Sequence, residues 1–174
     1  MTTTPPPAAP FAQSVRILAG ALMAGLVFIG VAMFFVLGTD DTPPLWLPVA
    51  QLVAGVVVHL LLESVGYRVQ PLDPDLSDAD AETAARARWQ SSMVLRFALS
   101  EAIAIASLVA AFVVEGGILA YAVGAVVSLV LMVVHVWPWA RPVGKVADAL
   151  EASGRRSHLR EEFGVPAPGP IQQF

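Results

Sequence analysis

Four apolar stretches, at residues 15–37, 46–66, 92–114 and 118–139, are each long enough to cross a lipid bilayer as a helix. An α-helix rises about 1.5 Å per residue, so about 20 apolar residues span a hydrocarbon core of roughly 30 Å. Inside lipid every backbone N–H and C=O must find a partner, and a helix supplies those partners within one segment. Composition agrees: 14% of the 174 residues are charged and 56% are hydrophobic, whereas a water-facing domain carries about a quarter charged residues. The Glu-Gly-Gly link at 115–117 is too short for anything but a tight turn. The sequence therefore predicts an all-α membrane protein, a four-transmembrane-helix bundle made of two helical hairpins.

The same numbers exclude function classes. The net charge is −4 and no basic stripe exists to attract phosphate, so nucleic acid is not a partner. Cysteine is absent, which removes disulfides, Cys-zinc sites, iron–sulfur clusters and thiol nucleophiles. No HExxH, GxSxG or Walker-type pattern occurs, so the chain is read as non-enzymatic, with no cofactor expected.

Lysine and arginine set the orientation. Nine of the ten lie at the mouth of the first span (Arg16), between the second and third, or after the fourth, and none lies in the connections 38–45 and 115–117. Basic residues mark the cytoplasmic side, so both termini are expected in the cytoplasm and the chain in the cytoplasmic membrane. The first apolar run exceeds the length of a signal-peptide core and is read as a transmembrane helix.

Residues 1–14 are expected to be a disordered N-terminal segment, because 1–10 are rich in Pro and Thr. Ser77-Asp78-Ala79-Asp80 has the pattern of a helix start, predicting a helix from Ala79 that runs into span three. Asp73, Asp75, Asp78 and Asp80 are read as loop and helix-N-terminal acids rather than a magnesium–diphosphate site. Residues 140–174 form a cytoplasmic tail with a short amphipathic helix at 143–153. Its apolar face (Val143, Val146, Ala147, Leu150) suits the membrane surface. The tail from 165 onward is expected to be mobile.

Lipid gives no hydrophobic drive for helix association, so small residues that allow close approach are the packing signal. Span three carries Ala98, Ala102, Ala106 and Ala110, span four Ala120, Gly124 and Ser128, and span one Gly20/Ala24 and Ala21/Gly25. These ridges fit a compact bundle, and one of them is free to serve a homo-oligomer.

The candidate site residues are the ionisable groups within the spans: Glu101, His59, Glu63, Arg96 and His135. A charge at mid-bilayer costs about 2.5–3.5 kcal/mol, so each is expected to have a partner. Arg96 is expected to pair with Glu63 across spans three and two. Glu101, nearest the midplane, is left to protonation, a hydrogen bond or His59. His135, beside Trp137 and Trp139, is read as an interfacial residue reaching toward headgroups. His59, Glu63, Glu101 and His135 would be the members of a His/carboxylate metal set. Only His59 and Glu63 have ligand-like spacing, so no metal is assigned.

Residues 97–111 read Phe-Ala-Leu-Ser-Glu-Ala-Ile-Ala-Ile-Ala-Ser-Leu-Val-Ala-Ala. This segment resembles the carboxylate-bearing helix of ATP synthase c-subunits (proteolipids), a resemblance that implies Glu101 binds a translocated proton or sodium ion. The glycine-repeat helix of that family has no counterpart in span two, whose one internal glycine is Gly55. As a whole the chain resembles the small four-span membrane proteins of actinobacteria, a likeness that implies no activity. The expected function is an accessory or structural subunit of a larger membrane complex, or a homo-oligomer. The alternative is a proton- or cation-translocating protein with Glu101 as the titrating carboxylate.

Overall fold

A computed structural model describes residues 10–166, and these contain helices and no strand. In chain order the helices are α1 (Phe11–Leu37), α2 (Trp46–Leu61), α3 (Asp78–Val113), α4 (Gly117–His135), α5 (Ala140–Leu150) and α6 (Leu159–Phe163). Helices α1, α3 and α4, and α2 together with the helical turn that continues it to Gly66, are long and apolar enough to cross a membrane. Large apolar side chains point away from the bundle on all four, among them Phe28 and Phe35, Val56 and Leu60, Val109 and Phe112, and Val126 and Val130. Water does not tolerate such a continuous surface, but lipid does.

Local chemistry sets the helix ends. Pro10 and Pro44 precede α1 and α2, and their carbonyls accept the N–H groups of Gln13 (2.9 Å) and Leu47 (2.9 Å) in the first turns. Ser77 caps α3: its hydroxyl accepts the Asp80 N–H (3.2 Å) and donates to the Asp80 carboxylate (2.6 Å). From that cap α3 runs unbroken for 36 residues. Of the expected disordered segment, residues 1–9 lie outside the described residues, and Phe11–Ser14 already belong to α1.

Helix α4 is the hub on which α1, α2 and α3 all pack. Its small ridge makes this possible. A Cβ on Gly124 would stand 1.8 Å from Ser107 Oγ, and one on Gly55 of α2 would stand 2.5 Å from Val127 Cγ1. Ser128 Oγ accepts the Ala104 N–H at 2.9 Å. Gln51 ties three helices at this level, donating from Nε2 to Ser107 Oγ (2.9 Å) and to the Ala120 carbonyl (2.7 Å). The face of α3 that packs inward carries Ser92, Arg96, Ser100 and Ser107, not the alanine ridge. Ala98, Ala102 and Ala106 are exposed. Two of the buried serines donate within their own helix, Ser100 and Ser107 to the carbonyls of Arg96 (2.8 Å) and Ile103 (2.7 Å), whereas Ser92 donates to the Gly66 carbonyl at 2.8 Å. They are therefore as small as alanine at the contact and leave no polar group stranded.

The two short connections, 38–45 and 114–116, meet at one end of the bundle, where Ile118 N–H bonds the Gly38 carbonyl at 2.9 Å. The basic residues gather at the other end, which α5 and α6 cover. The apolar face of α5 (Val143, Val146, Ala147, Leu150) is fully buried within the chain, so it does not lie on the membrane surface. Phe163 of α6 stacks at 4.9 Å on Trp89 and at 5.9 Å on Phe11, and its carbonyl accepts from Arg16 at 3.0 Å. Arg86 lies between Glu162 (2.7 Å) and Glu82 (2.6 Å); the hydrogen bond to Glu162 raises its already high pKa. Asp78 pairs with Arg155 at 2.5 Å, and Asp73 accepts the Asp75 N–H at 3.0 Å. Of the expected mobile tail, residues 167–174 lie outside the described residues.

Candidate functional site

Four of the five candidate residues, His59, Glu63, Arg96 and His135, gather where α2 and α4 end beneath α5. After Leu61, α2 widens into a π-helical turn, Leu62–Gly66. Such turns take in an extra residue and re-aim the side chains around them, and they recur at functional sites. His59 stands just before this turn, Glu63 within it and Tyr67 just after it. His135 is the last residue of α4.

His59 Nδ1 and His135 Nε2 lie 2.9 Å apart, and the second ring nitrogen of His135 lies 2.8 Å from the Tyr67 hydroxyl. A neutral imidazole has one N–H and one lone pair, so this row admits two proton orders. Either His59 donates to His135 and His135 to Tyr67, or Tyr67 donates to His135 and His135 to His59. The two orders differ in the tautomer of both imidazoles and in the rotation of the Tyr67 hydroxyl. His135 is fully buried, which corrects its reading as a headgroup-facing residue. Met132 and Val136 flank it in the packed core, and Trp139 instead takes the outward position, its Nε1 donating to the Val133 carbonyl at 2.5 Å.

Glu63 is held from α5. Arg141 donates to its Oε1 at 2.6 Å, Lys145 bonds its Oε2, and His135 Nδ1 stands 3.7 Å from Oε1. The expected Arg96–Glu63 pair does not form. Arg96 is fully buried and donates from Nη1 to Ser92 Oγ (2.7 Å) and more weakly to the Gly66 carbonyl (3.4 Å). Its guanidinium lies over the rings of Tyr67 (4.7 Å) and Trp89 (5.1 Å). Two features account for the exchange. The π-turn presents Glu63 to α5, and Gly66, lacking a side chain, lets Arg96 approach: a Cβ there would stand 3.1 Å from Arg96 Cγ. Nε and Nη2 of Arg96 have no hydrogen-bond partner among the described residues, so ring faces take the place of a carboxylate.

Glu101 does not join this cluster, and His59 is committed to His135. Glu101 lies nine residues beyond Ser92, about 14 Å along the helix axis, so it stands near the middle of the span. It is half-buried, next to exposed Ile105, and has no hydrogen bond or ion pair among the described residues.

The sequence reading did not include Tyr67, Arg141, Lys145 and Ser92 in this site. Ser92 was within reach of it, since it stands one turn before Arg96 on the same face. The other three depend on where α5 docks. For metal chemistry, His59, Glu63 and His135 can each offer one ligand atom, with all three atoms within 4.8 Å of one another. Comparison with protein-family models, curated proteins and solved structures returned no match.

Proposed function

We propose that this protein is a multi-pass protein of the cytoplasmic membrane, with both termini inside. It serves as a structural or accessory subunit that another transmembrane segment completes, from a second copy or from a larger membrane complex. The observation that carries this reading is Glu101, a mid-membrane carboxyl with no partner among the described residues. At a cost of about 2.5–3.5 kcal/mol for an unpaired charge, a partner from outside the chain is the economical solution.

A groove of about 370 Å³ between α2 and α3, on a different face of α3 from Glu101, offers a further docking surface for such a segment. It is lined by Ala50, Ala54, Ala102, Ala106 and Ala110, with Gln51 at its base. Gln51 is buried and its Oε1 has no hydrogen-bond partner among the described residues. Small side chains that admit a helix backbone, beside a spare acceptor, are what membrane helix contacts use.

The test is native mass measurement of the protein extracted from its own membrane into nanodiscs. Wild type is expected above the 18.3 kDa of a single chain. Ala106→Phe, which fills the groove from an exposed position, is expected to return it to single-chain mass. A single-chain mass for wild type would contradict the proposal.

The unpartnered carboxyl also favours a second reading, in which Glu101 carries a proton or cation across the membrane. Proton flux into proteoliposomes that is present in wild type and lost in a folded Glu101→Gln variant would establish it and displace the subunit reading.

A further inference from the structure

We propose that His59, Glu63 and His135 form a binding site for a divalent transition-metal ion, with Zn2+ as the best match. Two imidazoles and one carboxylate are the donor types that suit this class of ion, and three protein ligands with an open fourth position are a common zinc arrangement. The ligands come from two helices that α4 packing already fixes, so little ordering is left to metal binding. His59 Nδ1 and His135 Nε2 aim at each other across 2.9 Å. In a tetrahedral site with Zn–N bonds of about 2.0–2.1 Å the ligand nitrogens stand about 3.3 Å apart. The rings must part by a few tenths of an ångström and tilt by about 35° each to aim at one ion. The Glu63 carboxylate must close in, and the proton between the rings must move to an outer ring nitrogen.

The surroundings fit that exchange. His135 has its second nitrogen 2.8 Å from the Tyr67 hydroxyl, the outer partner that fixes the tautomer of a metal-ligating histidine. His59 and Glu63 are only partly buried, so an ion can enter from the basic end. The opposing features are Arg141 and Lys145, which now hold the Glu63 oxygens. Both are partly exposed and on flexible stems, so they can swing away. Arg96 stays buried beyond Tyr67, where its charge is spread over two rings. The site therefore sets a metal ion against two α5 cations for one carboxylate, and this competition is what the experiment reads.

The experiment measures Zn2+ bound to the purified full chain in detergent, by equilibrium dialysis with elemental analysis, and the visible spectrum with Co2+ as probe. Wild type is expected to bind one ion per chain and to give the intense d–d bands of four-coordinate Co2+. His59→Ala and His135→Gln should each weaken binding at least about tenfold. Because His135 is in the core, His59→Ala is the decisive variant if His135→Gln fails to fold. Lys145→Met should bind more tightly than wild type by freeing a Glu63 oxygen, and Glu101→Gln should bind as wild type does. Binding unchanged in His59→Ala, no four-coordinate Co2+ spectrum, or weaker binding in Lys145→Met would overturn the proposal.

Discussion

His59 and His135 share a hydrogen bond of 2.9 Å although 76 residues separate them in the chain. That contact joins the end of α2 to the end of α4, and through Tyr67 it reaches the chain segment leading to α3. The basic end of the bundle is thus closed by polar bonds between helices, while the opposite end is closed by two short loops. In a low-dielectric setting such bonds specify one helix register, because a slipped register would strand several polar groups at once.

The Tyr67 hydroxyl should therefore contribute measurably to stability. Tyr67→Phe keeps the ring under Arg96 and removes only the bond to His135. A loss of about 0.5–1.5 kcal/mol is expected in denaturant unfolding followed by circular dichroism. No loss would mean that the row ending at Tyr67 is not formed.

Glu63 and Arg96 should behave as strangers. In a double-mutant cycle, Glu63→Gln and Arg96→Met are expected to be additive within about 0.5 kcal/mol, whereas Glu63→Gln and Lys145→Met should show a larger coupling. The partners are partly exposed, so that coupling stays near or below about 1 kcal/mol. Strong coupling between Glu63 and Arg96 would restore the pairing that the sequence suggested.

Gly124 sets the distance between α3 and α4. Gly124→Ala places a methyl group 1.8 Å from Ser107 Oγ and 2.6 Å from Ser107 Cβ, so the helices must separate. A loss of about 1–3 kcal/mol is expected. Ser107→Gly, which removes both clashing atoms, should recover part of it, and Ser107→Ala should recover less. Equal stability of Gly124→Ala and wild type would show that α3 and α4 do not meet there.

The C-terminal cap depends on Phe163, buried between Trp89 and Phe11. Phe163→Ala should remove about 3–5 kcal/mol of packing and speed tryptic cleavage at Arg155 and Arg156, while α1 to α4 stay protected. Unchanged cleavage would mean that the cap is held by its ion pairs alone.

The spans were legible because length and hydropathy are properties of single segments, and lipid permits one solution for such segments. The start of α3 was legible for the same local reason, since Ser77 and Asp80 cap it from three residues apart. What sequence did not reveal was rotation of each helix about its axis. The alanines at 98, 102 and 106 and the serines at 100 and 107 are comparably small, and spacing alone favoured the alanine ridge. Serines won the interior where polar partners on other segments wait for them: Ser92 donates to the Gly66 carbonyl at 2.8 Å, and Ser107 accepts from Gln51 Nε2 at 2.9 Å. The π-turn likewise has no sequence signature here, and it decides that Glu63 meets Arg141 and Lys145 instead of Arg96. His59 and Glu63 were recognised as sharing a face, but the arrival of His135 required the packing of α4 on α2.

Beside the unpartnered Glu101, the alanine ridge left facing outward supports the central claim that another transmembrane segment docks on this chain, and the absence of cysteine gives direct access to that ridge. Single cysteines at Ala106 in the α2–α3 groove and at Phe28 on the exposed face of α1 can each be labelled in native membranes with a maleimide–diazirine reagent. After illumination, the Ala106→Cys protein is expected to give one discrete higher-mass adduct, with a second copy or a partner subunit, while Phe28→Cys labels lipid. Equal, diffuse labelling from the two positions would show that only lipid covers the groove and would contradict the account.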